Sequence, residues 1–207
     1  MNDAADQPDG APSRGPWDGR SPLLHVVLHE PEIPNNTGNI GRTCVALASA
    51  LHLIHPIGFE LSEKACRRAG LDYWPRLSVH EHASWSAYKQ STTGSATAGA
   101  SPVRAPVRWM LSTRATCSVF DADIEPGDHL VFGKESRGLP ASILDEDRDR
   151  CVCLPMVADE RSLNLSTAVA AVMYCALQRL VDLDRVRLGD AGRLRGTATP
   201  TGAHERI

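Results

Sequence analysis

"LLHVVLHEPEIPNNTGNIGRTCVALASALHLIHP", residues 23–56, is the stretch on which the fold turns. Its first part, "LLHVVLH" (23–29), is a continuous apolar run closed by "EPEIP", which reads as a buried strand running into a loop. From Thr37 the pattern turns helical: Ile40, Cys44, Leu47 and Leu51 hold the i, i+4, i+7, i+11 face, with Asn36 or Thr37 as the expected N-cap. "HLIHP" (52–56) is a second short strand. Between the strands, Asn35, Asn36, Gly38, Asn39 and Gly41 form a polar loop that ends with Arg42 at the head of the apolar helix. Glycines there allow close backbone approach, and asparagine side chains both donate and accept, so the loop suits a ligand or a polar substrate.

The alternation continues along the chain. "SEKACRRAG" (62–70) predicts a short basic helix ended by Gly70, "RLSVHEH" (76–82) a third strand, and "SWSAYKQ" (84–90) the start of a helix. That helix dissolves into "STTGSATAGASPVRAP" (91–106), a flexible low-complexity insertion. Strands follow at "VRWMLST" (107–113), "DHLVFG" (128–133) and "RCVCLPM" (150–156), with a short helix near 140–144 and a long apolar one over 164–181. Apolar strands covered on both faces and alternating with helices imply an α/β domain, a mostly parallel sheet flanked by helices, over residues 22–184. Residues 1–21 and 185–207 lack apolar periodicity and are expected to be disordered tails.

Composition narrows the class. The 207 residues are 42% hydrophobic and 23% charged with a formal net charge of −3, so any nucleic-acid site is a local basic patch and not a global field. The six cysteines show no CxxC pair and no zinc spacing, as expected of reduced thiols in a cytoplasmic protein. No apolar run reaches the roughly 18 residues of a membrane span, and the first 20 residues carry no signal-peptide core.

Three strands end in polar loops that lead into helices: the opening stretch, "FGKESRGLP" (132–140) and "LPMVADERSLNLSTAV" (154–169). The Gly133-Lys134 pair is not a P-loop, because Asp128 and Glu135 stand where glycine and Ser or Thr are needed. No GxGxxG opens a helix and no GxSxG occurs. The pairs His25/His29, His52/His55 and His80/His82 lack a helical HExxH context, so no metal site is expected.

Taken together, "EPEIPNNTGNIGR", "RRAGLDYW", "FGKESRGLP" and "LPMVADERSLNLSTAV" resemble the SPOUT superfamily of RNA methyltransferases in its SpoU branch, and in particular the small TrmL-type tRNA 2′-O-methyltransferases. The resemblance spans residues 23–180 apart from the insertion. It implies a C-terminal trefoil knot forming the cofactor pocket, an obligate homodimer, and methyl transfer from S-adenosylmethionine (product S-adenosylhomocysteine) without a metal. The implied substrate is the 2′-hydroxyl of the wobble nucleotide, cytidine or uridine, in the tRNA anticodon loop. Another tRNA or ribosomal-RNA ribose, or an RNA-binding relative without catalysis, are the alternatives.

By motif position the resemblance implies a cofactor site lined by Leu111, Gly133, Leu154 and Ser162, with Leu163 nearby; Leu111 and Leu154 would look the same as plain sheet core. Arg42 matches the arginine assigned to catalysis, with Asn39 beside it on the substrate side. A cation at a helix start opposes the helix dipole, which favours contact with phosphate or ribose oxygen. Guanidinium is a poor base, so Arg42 is expected to orient the ribose and stabilise charge on its 2′-oxygen. Glu135 is expected to hold Arg42 or a backbone amide, and Asn164 and Ser166 complete the catalytic set, either one also suiting a helix cap. For RNA, Lys64, Arg67 and Arg68 suit phosphates, with Tyr73 and Trp74 beyond them to stack a base. Arg114, Arg137 and Tyr174 are further candidates, though "VMYCAL" around Tyr174 suits core packing equally well.

Overall fold

A computed structural model describes residues 15–60, 72–93 and 104–196. The basic segment with Lys64, Arg67 and Arg68, and most of the 91–106 insertion, lie outside the described residues.

Seven strands form one sheet: β1 (His25–His29), β2 (Ala50–Ile54), β3 (Val79–His82), β4 (Arg108–Leu111), β5 (Cys117–Ser118), β6 (His129–Phe132) and β7 (Cys151–Cys153). Their order is β3-β2-β1-β6-β4-β7-β5, and every pairing is parallel. Helices α1 (Pro34–Ala46), α2 (Trp85–Thr93), α3 (Ala141–Glu146) and α4 (Leu165–Asp182) cover it.

The period of two along each strand splits the core between the faces. Val26, Leu28, Leu51, Leu53 and Leu130 pack with Ile40 and Cys44 of α1 and Val169 and Met173 of α4. Val27, Ile54, Met110 and Val131 pack under Tyr88 of α2 and Ile143 of α3. Each such side chain, fully buried, contributes about 1.5–3 kcal/mol. Burial also pushes the Cys44 thiol up to about 12, so it behaves as a core hydrophobe.

β1 and β6 are neighbours, and the chain leaves β1 toward β2 on one side and β6 toward β7 on the other. Such a switch point opens a crevice beyond the carboxyl ends of the strands. At the opposite, amino ends of the strands, Asp128, fully buried just before β6, braces the sheet: it accepts from Arg104 (2.9 Å), the Val107 N–H (2.9 Å), the Trp109 indole (3.0 Å) and the Glu125 N–H (3.1 Å).

Two expectations are corrected. The polar stretch before Thr37 is not a loop, because α1 begins at Pro34 with Ile33 as N-cap. Proline at the first helical position loses nothing, its missing N–H being one a helix start leaves unpaired. The segments flanking the domain are also ordered where described. Trp17 is buried and its N–H donates to the Arg185 carbonyl at 2.7 Å, while Val186 is buried in the same core. Arg187–Leu188 and Leu194–Arg195 then pair as an antiparallel hairpin, β8 and β9. One indole and one valine supply the apolar contact that the composition around them hides.

Candidate functional site

The loops after β1, β4, β6 and β7 surround one cavity of about 800 Å³ at the switch point. Leu111, Gly133, Leu154, Ser162 and Leu163 all line it, as do Glu135, Asn164 and Arg114. Gly133 is dictated by the path of its own loop: a Cβ there would lie 2.0 Å from the carbonyl carbon of Gly138. Gly138 turns the chain back with φ +70, in the left-handed region that favours glycine.

Two of these loops clasp each other through reciprocal carboxylates. Glu135 accepts the N–H of Glu32 at 2.9 Å and of Ile33 at 3.3 Å, capping α1 from a distant part of the chain. Its charge also complements the positive end of the helix dipole. Glu32 in turn accepts the Ser136 N–H at 2.9 Å and its hydroxyl at 2.8 Å. The Ser136 hydroxyl, and then its N–H, hold the Glu32 carboxyl below the usual carboxylate range. Lys134 adds an ion pair to Glu30 at 2.6 Å.

A side-chain relay crosses the clasp. Asn36 donates to Glu135 Oε1 at 2.9 Å and accepts from the Asn164 amide at 3.0 Å. Asn164 also caps α4, its Oδ1 accepting the N–H of Ser166 at 2.9 Å and of Thr167 at 3.3 Å. Ser166 donates its hydroxyl to the same oxygen at 2.7 Å, so it steadies Asn164 and does not itself line the cavity. Asn36 is the site residue that the choice of Asn39 overlooked; its place on the buried side of α1 would have separated it from Asn35 and Asn39, which are exposed.

Arg42 and Asn39 lie on the exposed face of α1 and do not line the cavity. Arg42 stacks over the Tyr73 ring at 4.7 Å and lies 3.8 Å from Asp72, and Glu135 does not touch it. Gly41 makes this possible, since a Cβ there would meet Leu77 at 2.9 Å and Trp74 at 3.2 Å. Tyr73 closes the packing by donating its hydroxyl to the Gly38 carbonyl. Arg137 lines the cavity, whereas Tyr174 borders a separate hollow of about 540 Å³ with Phe120 and Leu183. Tyr174 is displaced from the cavity because α4 turns that residue away from Ala168 and Val172, which face it.

A parallel α/β sheet whose strand-end loops enclose a crevice at the switch point defines an enzyme-like domain with its ligand beyond the strand ends. The chain belongs to the SpoU rRNA Methylase family, whose model matches residues 23–174. It is 44% identical over 160 residues to the tRNA (cytidine(34)-2'-O)-methyltransferase of Saccharophagus degradans, covering 76% of this chain and 96% of that one. A solved structure described as "Structural insights into the 2-OH methylation of C/U34 on tRNA" is 42% identical, with TM-score 0.65 over 77% of this chain and 97% of that one. The SpoU methyltransferase AviRb of Streptomyces viridochromogenes, in complex with AdoMet, shares the fold at TM-score 0.66 and 24% identity, covering 78% of this chain and 59% of that one.

Proposed function

We propose that the protein is a tRNA 2′-O-methyltransferase of the wobble nucleotide, cytidine or uridine 34, using S-adenosylmethionine and no metal in the methyl-transfer step. The carrying observation is the convergence of the three motif loops on one cavity, in a chain whose relatives of that activity match it over nearly their full length.

The cavity fits the cofactor. Its size is that of a small-molecule site, Leu111 and Leu154 offer apolar walls, and Gly133 adds a lining position without a side chain. When bound, S-adenosylmethionine supplies an electrophilic methyl on a sulfonium. Leu111, Gly133, Leu154, Ser162 and Leu163 hold it, while Asn36, Glu135 and Asn164 fix the loops around it. Arg42 and Asn39 orient the ribose, and Arg42 stabilises negative charge developing on the 2′-oxygen. Arg114 and Arg137, at the cavity wall, take RNA phosphate, as do Lys64, Arg67 and Arg68.

The reading includes the family's trefoil knot, formed by the loops after β6 and β7 that line the cavity. It also includes a homodimer with RNA bound across both protomers. Arg42 faces away from the cavity of its own chain, and Phe120, Tyr174 and Leu183 leave exposed apolar surface along α4 for a second copy to cover. The enzyme works in the cytoplasm, where its tRNA is; no helix among the described residues is long and apolar enough to cross a membrane.

The test uses chelator-treated full-length protein. Calorimetry is expected to show about one S-adenosylmethionine site per chain, and mass spectrometry one methyl on the ribose of nucleotide 34, absent when that nucleotide is 2′-deoxy. Methylation of the 2′-deoxy substrate would overturn the position, and metal-dependent cofactor binding would overturn the site. A monomer by light scattering at micromolar concentration, fully active, would overturn the dimer.

A further inference from the structure

The face of the sheet beneath α2 carries a row of imidazoles, His52 and His129 buried among them, that methyl transfer does not use. Periodicity explains how they meet. His25 and His129 open β1 and β6 and are direct cross-strand partners, while His52 of β2 pairs with Val27, two residues beyond His25 and on the same face. His80 continues the row, being the cross-strand partner of His52 on β3. In the upper half of this face Val27, Ile54 and Val131 make an ordinary apolar core. In the lower half, where valine or leucine would serve packing equally, the chain places histidine on β1, β2, β3 and β6.

We infer that His25, His52 and His129 form a binding site for a divalent transition-metal ion of the zinc class, tying together β1, β2 and β6 at the centre of the sheet. One ring nitrogen from each of the three lies within 4.8 Å of the others. His25 Nδ1 and His52 Nε2 are 2.9 Å apart, and tetrahedral coordination at about 2.0–2.1 Å asks for roughly 3.4 Å between ligand atoms. That pair has to open by about half an ångström, and the stacked rings of His25 and His129, with centroids 4.4 Å apart, have to turn for their lone pairs to converge on one ion.

The surroundings are those of ligating histidines, whose second nitrogen is normally held by an outer partner that fixes the ring. His52 Nδ1 meets His82 Nε2 at 2.9 Å, and Tyr88 Oη meets His129 Nδ1 at 2.8 Å. With the N–H of a neutral His52 on Nδ1, toward His82, Nε2 would present a lone pair to an ion. His52 and His129 are buried but His25 is half-exposed, giving an ion a way in and leaving a fourth position for water. Three imidazoles without a carboxylate suit Zn²⁺, Co²⁺, Ni²⁺ or Cu²⁺ and exclude the hard, oxygen-seeking Mg²⁺ and Ca²⁺.

The experiment titrates Co²⁺ into chelator-treated, tag-free full-length protein, then displaces it with Zn²⁺. One equivalent per chain is expected to give the intense visible bands of four-coordinate cobalt. Saturating Zn²⁺ is expected to raise Tm by about 5 °C, and Mg²⁺ to leave it unchanged. His129→Gln and the half-exposed His25→Gln, whose folding is checked by circular dichroism, are each expected to abolish the bands, while His55→Gln retains them. Absence of bands and of a Tm shift in the wild-type chain would overturn the site, leaving a hydrogen-bonded polar core. Bands surviving in folded His25→Gln, or lost in His55→Gln, would place the ion elsewhere and overturn it equally.

Discussion

The side-chain amide of Asn164 donates to Asn36 at 3.0 Å, joining the start of the last helix to the start of the first. Asn36 passes the polarity on, donating to Glu135 at 2.9 Å. Both ends of the Asn36 carboxamide are thus committed, and only asparagine offers an acceptor and a donor in that geometry. Asn36→Asp keeps the shape, loses the donor and sets a second carboxylate against Glu135. A lost hydrogen bond to a charged group costs about 1.5–3 kcal/mol, so cofactor affinity by calorimetry is expected to fall at least about tenfold. Asn36→Ala, without the repulsion, is expected to fall less. Equal affinities in all three proteins would sink the relay.

Glu32 gives the clasp a pH dependence. Ser136 lowers its pKa from the ordinary 4.5, so the folded protein favours the ionised form. The clasp is therefore complete above that value and is lost as pH falls through the lower folded value. The Ser136 amide resonance in NMR is expected to titrate with a midpoint below 4.5, and Glu32→Gln to remove that titration. A midpoint at or above 4.5 would show that the contact does not hold the carboxylate.

The sheet and the cavity lining were legible because both follow from local pattern: apolar strands, then glycine-bearing loops in family order. The start of α1 was not. Its cap is the carboxylate of Glu135, about a hundred residues away in sequence, and no local signal announces a cap supplied from another loop. The same limit applies to His25, His52 and His129, which have no motif spacing and become neighbours only through strand register. Arg42 was legible as a residue and not as a location, since the Tyr73 segment that supports it packs through the missing Cβ of Gly41.

Asp128 tests the architecture apart from chemistry. Asp128→Ala strips the Arg104 guanidinium, the Trp109 indole and two backbone N–H groups of a common acceptor inside the protein. Removing one partner of a buried pair costs about 3–5 kcal/mol, and the denaturation midpoint is expected to fall accordingly. Asp128→Asn keeps one acceptor oxygen and is expected to lose less. A loss below about 1 kcal/mol in Asp128→Ala would mean that water replaces the carboxylate.

Under the proposed function, Arg42 separates catalysis from cofactor binding. Its guanidinium rests on Tyr73 and lines no part of the cavity, so Arg42→Ala is expected to leave S-adenosylmethionine affinity unchanged. If it steadies charge on the 2′-oxygen, single-turnover methyl transfer falls by at least about a hundredfold, the scale of one lost oxyanion donor. Arg42→Lys restores only part of this, because an ammonium reproduces the charge and not the planar fork. Tyr73→Leu removes the ring face beneath the guanidinium while retaining apolar bulk, and is expected to slow transfer without weakening cofactor binding. Near-wild-type transfer by Arg42→Ala would make Arg42 a surface residue, and charge on the 2′-oxygen would have to be met by another group.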